Sequence, residues 1–274
     1  MPMSWREALA VALKRPGVLQ RKARLYLGNR WHQRRRVLWL AELTGVSERD
    51  INGFRGEIER DKEFLSAIRG TYRTHLRYFP MPTDFMVRHD GSTLFFHCVS
   101  RYALTRAIGP EKIVETGGTP GKSSAFLLRA LERNGRGRLW TVDLPPVSAK
   151  AAEISGANDS HATLPQGLGP GWAIPASLKP FHTLILGDAR CVLPGLLSDL
   201  GEIDMFIHDS DHSYEHMLFE FETAYPFVKS GGFIWSDDIS GNSAWADFCG
   251  ARDLVRCDFT TQGVTRKMAG PSRG

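Results

Sequence analysis

The stretch Lys112-Ile-Val-Glu-Thr-Gly-Gly-Thr-Pro-Gly-Lys-Ser-Ser124 constrains the fold more than any other part of the chain. A short apolar run ends in an acid, a glycine-rich turn follows, and a helix begins at the paired serines. Ser123 and Ser124 stand at the helix start, and Ala125, Phe126, Leu127 and Leu128 continue it. Gly117, Gly118 and Gly121 let backbone approach a ligand where a Cβ would collide. A strand–turn–helix unit of this kind builds a nucleotide-type pocket at the carboxyl end of a parallel sheet.

Three ligand classes compete for that pocket. A dinucleotide fingerprint ending on Gly121 requires glycine at position 116, which is Thr116. A phosphate-binding loop ending in Gly121-Lys122-Ser123 fails on the same residue, although its tail is otherwise correct. Glu115, directly before the turn, would repel phosphates but suits a ligand with a cationic amino-acid end. A second short strand, Leu139-Trp-Thr-Val-Asp143, ends in another acid, as needed to hold ribose hydroxyls. S-adenosylmethionine fits both acids.

Three further motifs follow in order. Thr183-Leu-Ile-Leu-Gly-Asp-Ala189 is a strand ending in Gly187, Asp188 and Ala189. Ile203-Asp-Met-Phe-Ile-His-Asp-Ser-Asp-His-Ser-Tyr-Glu215 is a strand running into an acidic turn, and a helical segment, Met217 to Val228, comes next. Lys229-Ser-Gly-Gly-Phe-Ile-Trp-Ser-Asp-Asp238 closes the series. Over roughly residues 95–245 the chain resembles the class I S-adenosylmethionine-dependent methyltransferases, and within them the magnesium-dependent sugar and macrolide O-methyltransferases.

The resemblance implies an α/β fold, a Rossmann-like doubly wound and mostly parallel sheet. Residues 91–274 would form the methyltransferase domain, behind a basic helical extension over residues 1–90. It implies cofactor contacts at Glu115, Gly117, Gly118, Gly121, Ser123, Asp143, Asp188 and Ala189, the last pair at the adenine. It carries over Asp209, Asp237 and Asp238 as Mg²⁺ ligands, whose ion would lower the pKa of a substrate hydroxyl. Asp211 aligns with the general base, and His212, where the sugar group has an apolar residue, is a second candidate or a positioning residue. The expected activity is metal-assisted O-methylation of a hydroxyl on a sugar-containing or other small metabolite. Two alternatives stand beside it: a P-loop-like phosphotransferase using Lys122, and a non-catalytic binding protein on a methyltransferase fold.

Composition agrees with a globular enzyme of 274 residues. No apolar run approaches the ~20 residues of a membrane span, and the first residues lack the apolar core of a secretory signal. Cys98, Cys191, Cys249 and Cys257 form no zinc-like grouping, and reduced thiols in a cytoplasmic protein are expected. Residues 1–36 carry ten Lys/Arg and one acid, net +9 against +5 for the whole chain, which leaves −4 for the remainder. This end, interleaved with Trp5, Leu25, Tyr26 and Trp31, suits an anionic membrane surface or a polyanionic substrate, or else an accessory layer in a monomer or homo-oligomer. It contains no recognised nucleic-acid module. The Pro/Gly-rich insertion from Pro145 to Phe181 reads as a lid or binding loop, with Trp172 placed either to cover substrate or to anchor the loop.

Overall fold

The structure is a computed structural model and describes residues 34–74, 95–145 and 167–268. A seven-stranded sheet in the order β3-β2-β1-β4-β5-β7-β6 forms its centre. Its strands are β1 (Lys112–Thr116), β2 (Arg138–Asp143), β3 (His182–Leu186), β4 (Ile203–His208), β5 (Val228–Ser236), β6 (Arg256–Phe259) and β7 (Gln262–Arg266). β1 to β5 run parallel, and the β6–β7 hairpin adds β7 antiparallel to β5. That hairpin carries no glycine–proline turn signal and was not foreseen from sequence.

Helices cover both faces. On one lie α1 (Glu48–Glu59), α2 (Lys62–Thr74), α3 (Phe95–Ile108) and α4 (Lys122–Asn134); on the other lie α5 (Ala189–Leu200), α6 (Tyr214–Ala224) and α7 (Ala244–Gly250). Parallel strands covered on both sides read as continuous apolar runs. Alternation then divides each run between two cores. Ile113, Met205, Ile207, Phe233 and Trp235 join the first cluster, and Val114, Phe206 and Ile234 join the second.

The helices before the sheet are not a separate body. Val37 and Leu40 from the helical stretch 34–44, Ile51 and Ile58 from α1, and Phe64 and Ile68 from α2 share one buried cluster with Phe126 and Leu127 of α4. Arg129 of α4 reaches Asp61, between α1 and α2, at 2.7 Å. The basic run ends inward: Arg36 is buried with its guanidinium 4.1 Å from the Phe96 ring, whereas Arg34 is exposed. Burial and the nearby Arg55 push the Arg36 pKa down to about 10. Residues 1–33, and with them most of the basic segment, lie outside the described residues.

The same holds for 146–166 of the insertion. Its second half packs down rather than covering a cleft. Ala173 donates its N–H to the Pro120 carbonyl at 2.9 Å, and Ala173, Ile174 and Leu178 are buried in the first core with Trp172 packed against them. Trp172 therefore anchors the loop.

Candidate active site

Strand parity determines which side chains meet at the carboxyl end of the sheet. Glu115, Ile207 and Trp235 are register partners on neighbouring strands, as are Thr116, His208 and Ser236. One step further, Asp209 and Asp237 return to the Glu115 face. Their N–H groups bond to the carbonyls of Thr116 and His208, both at 2.9 Å. The two faces thus carry two separate polar clusters.

On the first face the centre is Arg101. It sits in α3, where every residue from His97 to Thr105 is buried, and its own exposure is 0%. Its Nη1 donates to Asp209 Oδ2 at 3.0 Å and its Nη2 to Asp237 Oδ2 at 3.3 Å, while Glu115 Oε1 lies 3.9 Å from Nη1. Burial opposes the guanidinium charge, but Asp209, Asp237 and Glu115 outweigh it and hold the Arg101 pKa above its ordinary value. Burial, reinforced by Asp237, drives the Asp209 carboxyl well above the usual range. Burial also works to raise Asp237, yet Arg101 prevails and holds it low.

On the second face the centre is Glu220 of α6, also fully buried. Its carboxylate accepts from Ser210 Oγ at 2.7 Å and Thr116 Oγ1 at 2.5 Å, and pairs with His208 Nδ1 at 2.6 Å and His216 Nε2 at 2.9 Å. Burial would raise this carboxyl, but the His208 charge and these hydrogen bonds hold it down to about 2. The cluster ties α6 to the ends of β1 and β4 from beneath the turn 209–213. The His208 ring meets the His212 ring edge-on, centroids 5.3 Å apart.

The glycine turn is built for backbone packing. Gly117 has φ +76°, and a Cβ there would lie 1.9 Å from the Asp209 carbonyl oxygen; at Gly121, φ +99°, it would lie 2.8 Å from Gly171 Cα. Asp143 clasps the turn: its Oδ2 accepts from Gly118 N–H at 2.8 Å and Thr119 Oγ1 at 2.9 Å, and its Oδ1 from Leu144 N–H at 2.8 Å. Beside it, Leu144 and Leu186 are 42% and 49% exposed, an open apolar surface at the ends of β2 and β3.

Residues 114–239 match a protein family described as a methyltransferase domain. That stretch is just under half of the chain. Demethylmacrocin O-methyltransferase of Streptomyces fradiae is 30% identical over 90 residues, which cover 31% of this chain and 22% of that relative. This chain thus spans about a fifth of the length of the curated relative it matches. The O-methyltransferase TomG of Streptomyces achromogenes, solved with S-adenosylmethionine, overlaps with a TM-score of 0.49 at 16% identity, covering 77% of this chain and 92% of that one. The S-adenosylhomocysteine-bound methyltransferase PaMTH1 of Podospora anserina overlaps with a TM-score of 0.48 at 15% identity, covering 77% and 89%.

Within residues 114–239 the expected site residues separate into groups. Gly117, Gly118, Gly121 and Asp143 gather in the turn at the ends of β1 and β2. Asp188 is exposed and caps α5, its Oδ1 accepting from Arg190 N–H at 2.8 Å, with Ala189 following as the first helical residue. Ser123 is buried at the start of α4. Glu115 stands beneath the turn with 0% exposure, its Oε2 accepting from Ser124 at 2.6 Å and Thr141 at 3.1 Å. Its Oε1 faces Arg101 Nη1 at 3.9 Å. Lys122 is likewise buried, which removes the feature on which the phosphotransferase alternative rested.

The acidic turn also differs from the expected arrangement. Asp209 and Asp237 do converge, on Arg101. The Asp238 side chain is 58% exposed, with φ +44°, and its Oδ2 lies 3.9 Å from His212 Nδ1. Among the described residues no group of three or more His, Cys, Asp or Glu side chains gathers to hold a metal. The three-carboxylate donor set therefore does not assemble, because a guanidinium occupies the space between two of its members. Asp211 is exposed and its Oδ1 accepts from Ser213 N–H at 2.7 Å; despite some burial, that bond holds its pKa below the usual range. Asn242 Nδ2 donates to the His212 carbonyl at 2.8 Å and fixes the backbone of the turn.

Sequence reasoning missed Arg101, Glu220, His208 and Asn242. Arg101 had a signal, as a lone charge in the apolar helical run Phe95-Phe-His-Cys-Val-Ser-Arg-Tyr-Ala-Leu104, whereas Glu220 shares its helix with Glu215 and Glu222. Such a charge is buried only with partners.

Proposed function

We propose that the domain transfers a methyl group from S-adenosylmethionine to a hydroxyl of a small, sugar-containing acceptor. The observation that carries this reading is the juxtaposition at Gly117. The cofactor-type turn after β1 packs directly on the acidic turn after β4, so a ligand held by the first presents its reactive end to the second. Residues at the neighbouring ends of β2 and β3 suit that ligand: Asp143 and Asp188 offer carboxylate oxygens for hydroxyl and amine donors, and Leu144 with Leu186 offers an apolar surface for a flat base. The 30% identity over 90 residues to a demethylmacrocin O-methyltransferase supports transfer to an oxygen.

In the transfer the acceptor oxygen forms a bond to the methyl carbon as the carbon–sulfur bond breaks, and the sulfonium becomes a neutral thioether. The substrate proton goes to the turn 209–213. His212 suits this better than Asp211, whose carboxylate is engaged by Ser213 N–H and held below the usual range, and Asp238 Oδ2 lies 3.9 Å from His212 Nδ1. Most of the barrier reduction then comes from alignment rather than from charge stabilisation. No step is assigned to a metal ion.

Titration calorimetry tests the reading. S-adenosylhomocysteine should bind in the micromolar range, about −8 kcal/mol, and ATP should not compete. Binding of ATP in its place would restore the phosphotransferase alternative. A cofactor that binds without turnover on any hydroxyl acceptor would favour the non-catalytic reading. Beyond the site, the basic segment 1–36 is proposed to contact an anionic membrane surface. Full-length protein should then sediment with acidic vesicles in a salt-sensitive way, and protein lacking residues 1–33 should not.

A further inference from the structure

We propose that Arg101 is the resident cation of this site and that it takes the place of a divalent metal ion. Three parallel strands bring carboxylates to one face, Glu115 within β1 near its end, Asp209 after β4 and Asp237 after β5. Without a positive charge among them they would push those strand ends apart. Arg101 supplies that charge from within the fold. Its planar guanidinium meets Asp209 with one nitrogen at 3.0 Å and Asp237 with the other at 3.3 Å, and faces Glu115 at 3.9 Å.

The same geometry excludes a second cation at that point. Mg²⁺ would need both aspartate oxygens at about 2.1 Å, with near-octahedral ligands around it. The guanidinium hydrogens already lie along those directions. Arg101 is held there by more than its carboxylates: it has no exposure, α3 is buried on both sides of it, and its guanidinium lies 5.9 Å from the Trp235 ring. A fixed guanidinium needs no ion from solution and gives up no water on closing. It holds the acidic turn in register with the cofactor-type turn, which makes Arg101 a positioning residue. The consequence for the methyltransferase reading, on which this part rests, is that transfer here runs without added metal.

The test reads metal binding directly. Mn²⁺ is titrated into full-length protein up to about 1 mM while water-proton relaxation is followed, and S-adenosylhomocysteine affinity is measured with chelator and with Mg²⁺. Wild-type protein should show no stoichiometric Mn²⁺ site, and its cofactor affinity should change by less than about twofold. Arg101→Met, which frees both aspartates, should gain an Mn²⁺ site that Asp237→Asn in the same background removes. Arg101→Lys should stay blind to Mn²⁺. An Mn²⁺ site in the wild type that Asp209→Asn or Asp237→Asn abolishes overturns the proposal, and this arm stands even if Arg101→Met fails to fold. A folded Arg101→Met as blind to Mn²⁺ as the wild type overturns it too. Absence of S-adenosylhomocysteine binding would instead count against the methyltransferase reading and leave the metal result to stand alone.

Discussion

Gly117 lies against the carbonyl of Asp209 so closely that a Cβ would sit 1.9 Å from its oxygen. This contact joins the turn after β1 to the turn after β4. It makes the glycine a requirement of backbone packing before any ligand is considered. Gly117→Ala should therefore destabilise the domain by about 3 kcal/mol or more, through both the clash and the left-handed φ. Denaturant unfolding would read it. Gly118→Ala should cost less, because its Cβ would meet only the Thr141 Cγ2 at 2.5 Å. Thr141→Ser in the same protein removes that methyl, keeps the hydroxyl, and should recover most of the loss.

Asp143 clasps the same turn through Gly118 and Thr119. Asp143→Ala should weaken S-adenosylhomocysteine binding by about 1.5–3 kcal/mol, the size of hydrogen bonds to a charged group. Thermal stability should fall with it, since the turn loses its clasp. Unchanged affinity by calorimetry would place the cofactor elsewhere.

Glu220 should matter to stability as much as any core residue. Glu220→Ala leaves His208 and His216 buried without their carboxylate, at a cost of about 3–5 kcal/mol. The depressed Glu220 pKa adds stability that is present above its unfolded value of 4.5 and is lost as pH falls toward about 2. Glu220→Gln should remove that acid limb from a plot of melting temperature against pH.

Two histidines predict a further loss nearer neutrality. Burial depresses His97 to about 3, and burial with Arg138 depresses His182 to about 4. Below their unfolded pKa of 6.5 the unfolded chain binds protons that the folded protein refuses. Stability therefore falls as pH drops from 6.5, by about 1.4 kcal/mol per unit for each group. His216, raised by Glu220 against the effect of burial, acts in a different window: its stabilisation is fully present below 6.5 and is lost as pH rises above it. His97→Gln, which can still meet Thr260, should make the decline between pH 6.5 and 4.5 shallower.

Turnover should separate the two candidates for the proton. His212→Ala should lower methyl transfer by about 10²–10⁴-fold with cofactor affinity intact, and Asp211→Asn by much less. The reverse pattern in single-turnover assays would move the base to Asp211.

The sequence by itself determined the order of strands β1 to β5, the glycine turn, the acidic turns and the helices between them. Those features are local: apolar runs of strand length, glycines where φ must be positive, and acids at strand ends. That Glu115, Asp209 and Asp237 share a face follows from the register of the paired strands, which the fold supplies. What faces them was decided only by the tertiary structure. The partner of those acids is Arg101, on a helix that precedes the sheet, and a charge 108 residues from Asp209 has no periodicity that links the two. The resemblance implies a metal ion on Asp209, Asp237 and Asp238, and two of these three meet Arg101. Packing of α3 onto the sheet supplies that cation from the chain itself. Glu220 and its two histidines follow the same rule on the other face: buried charges are fixed by whatever the fold brings within hydrogen-bond reach, and that is set by packing across the whole domain.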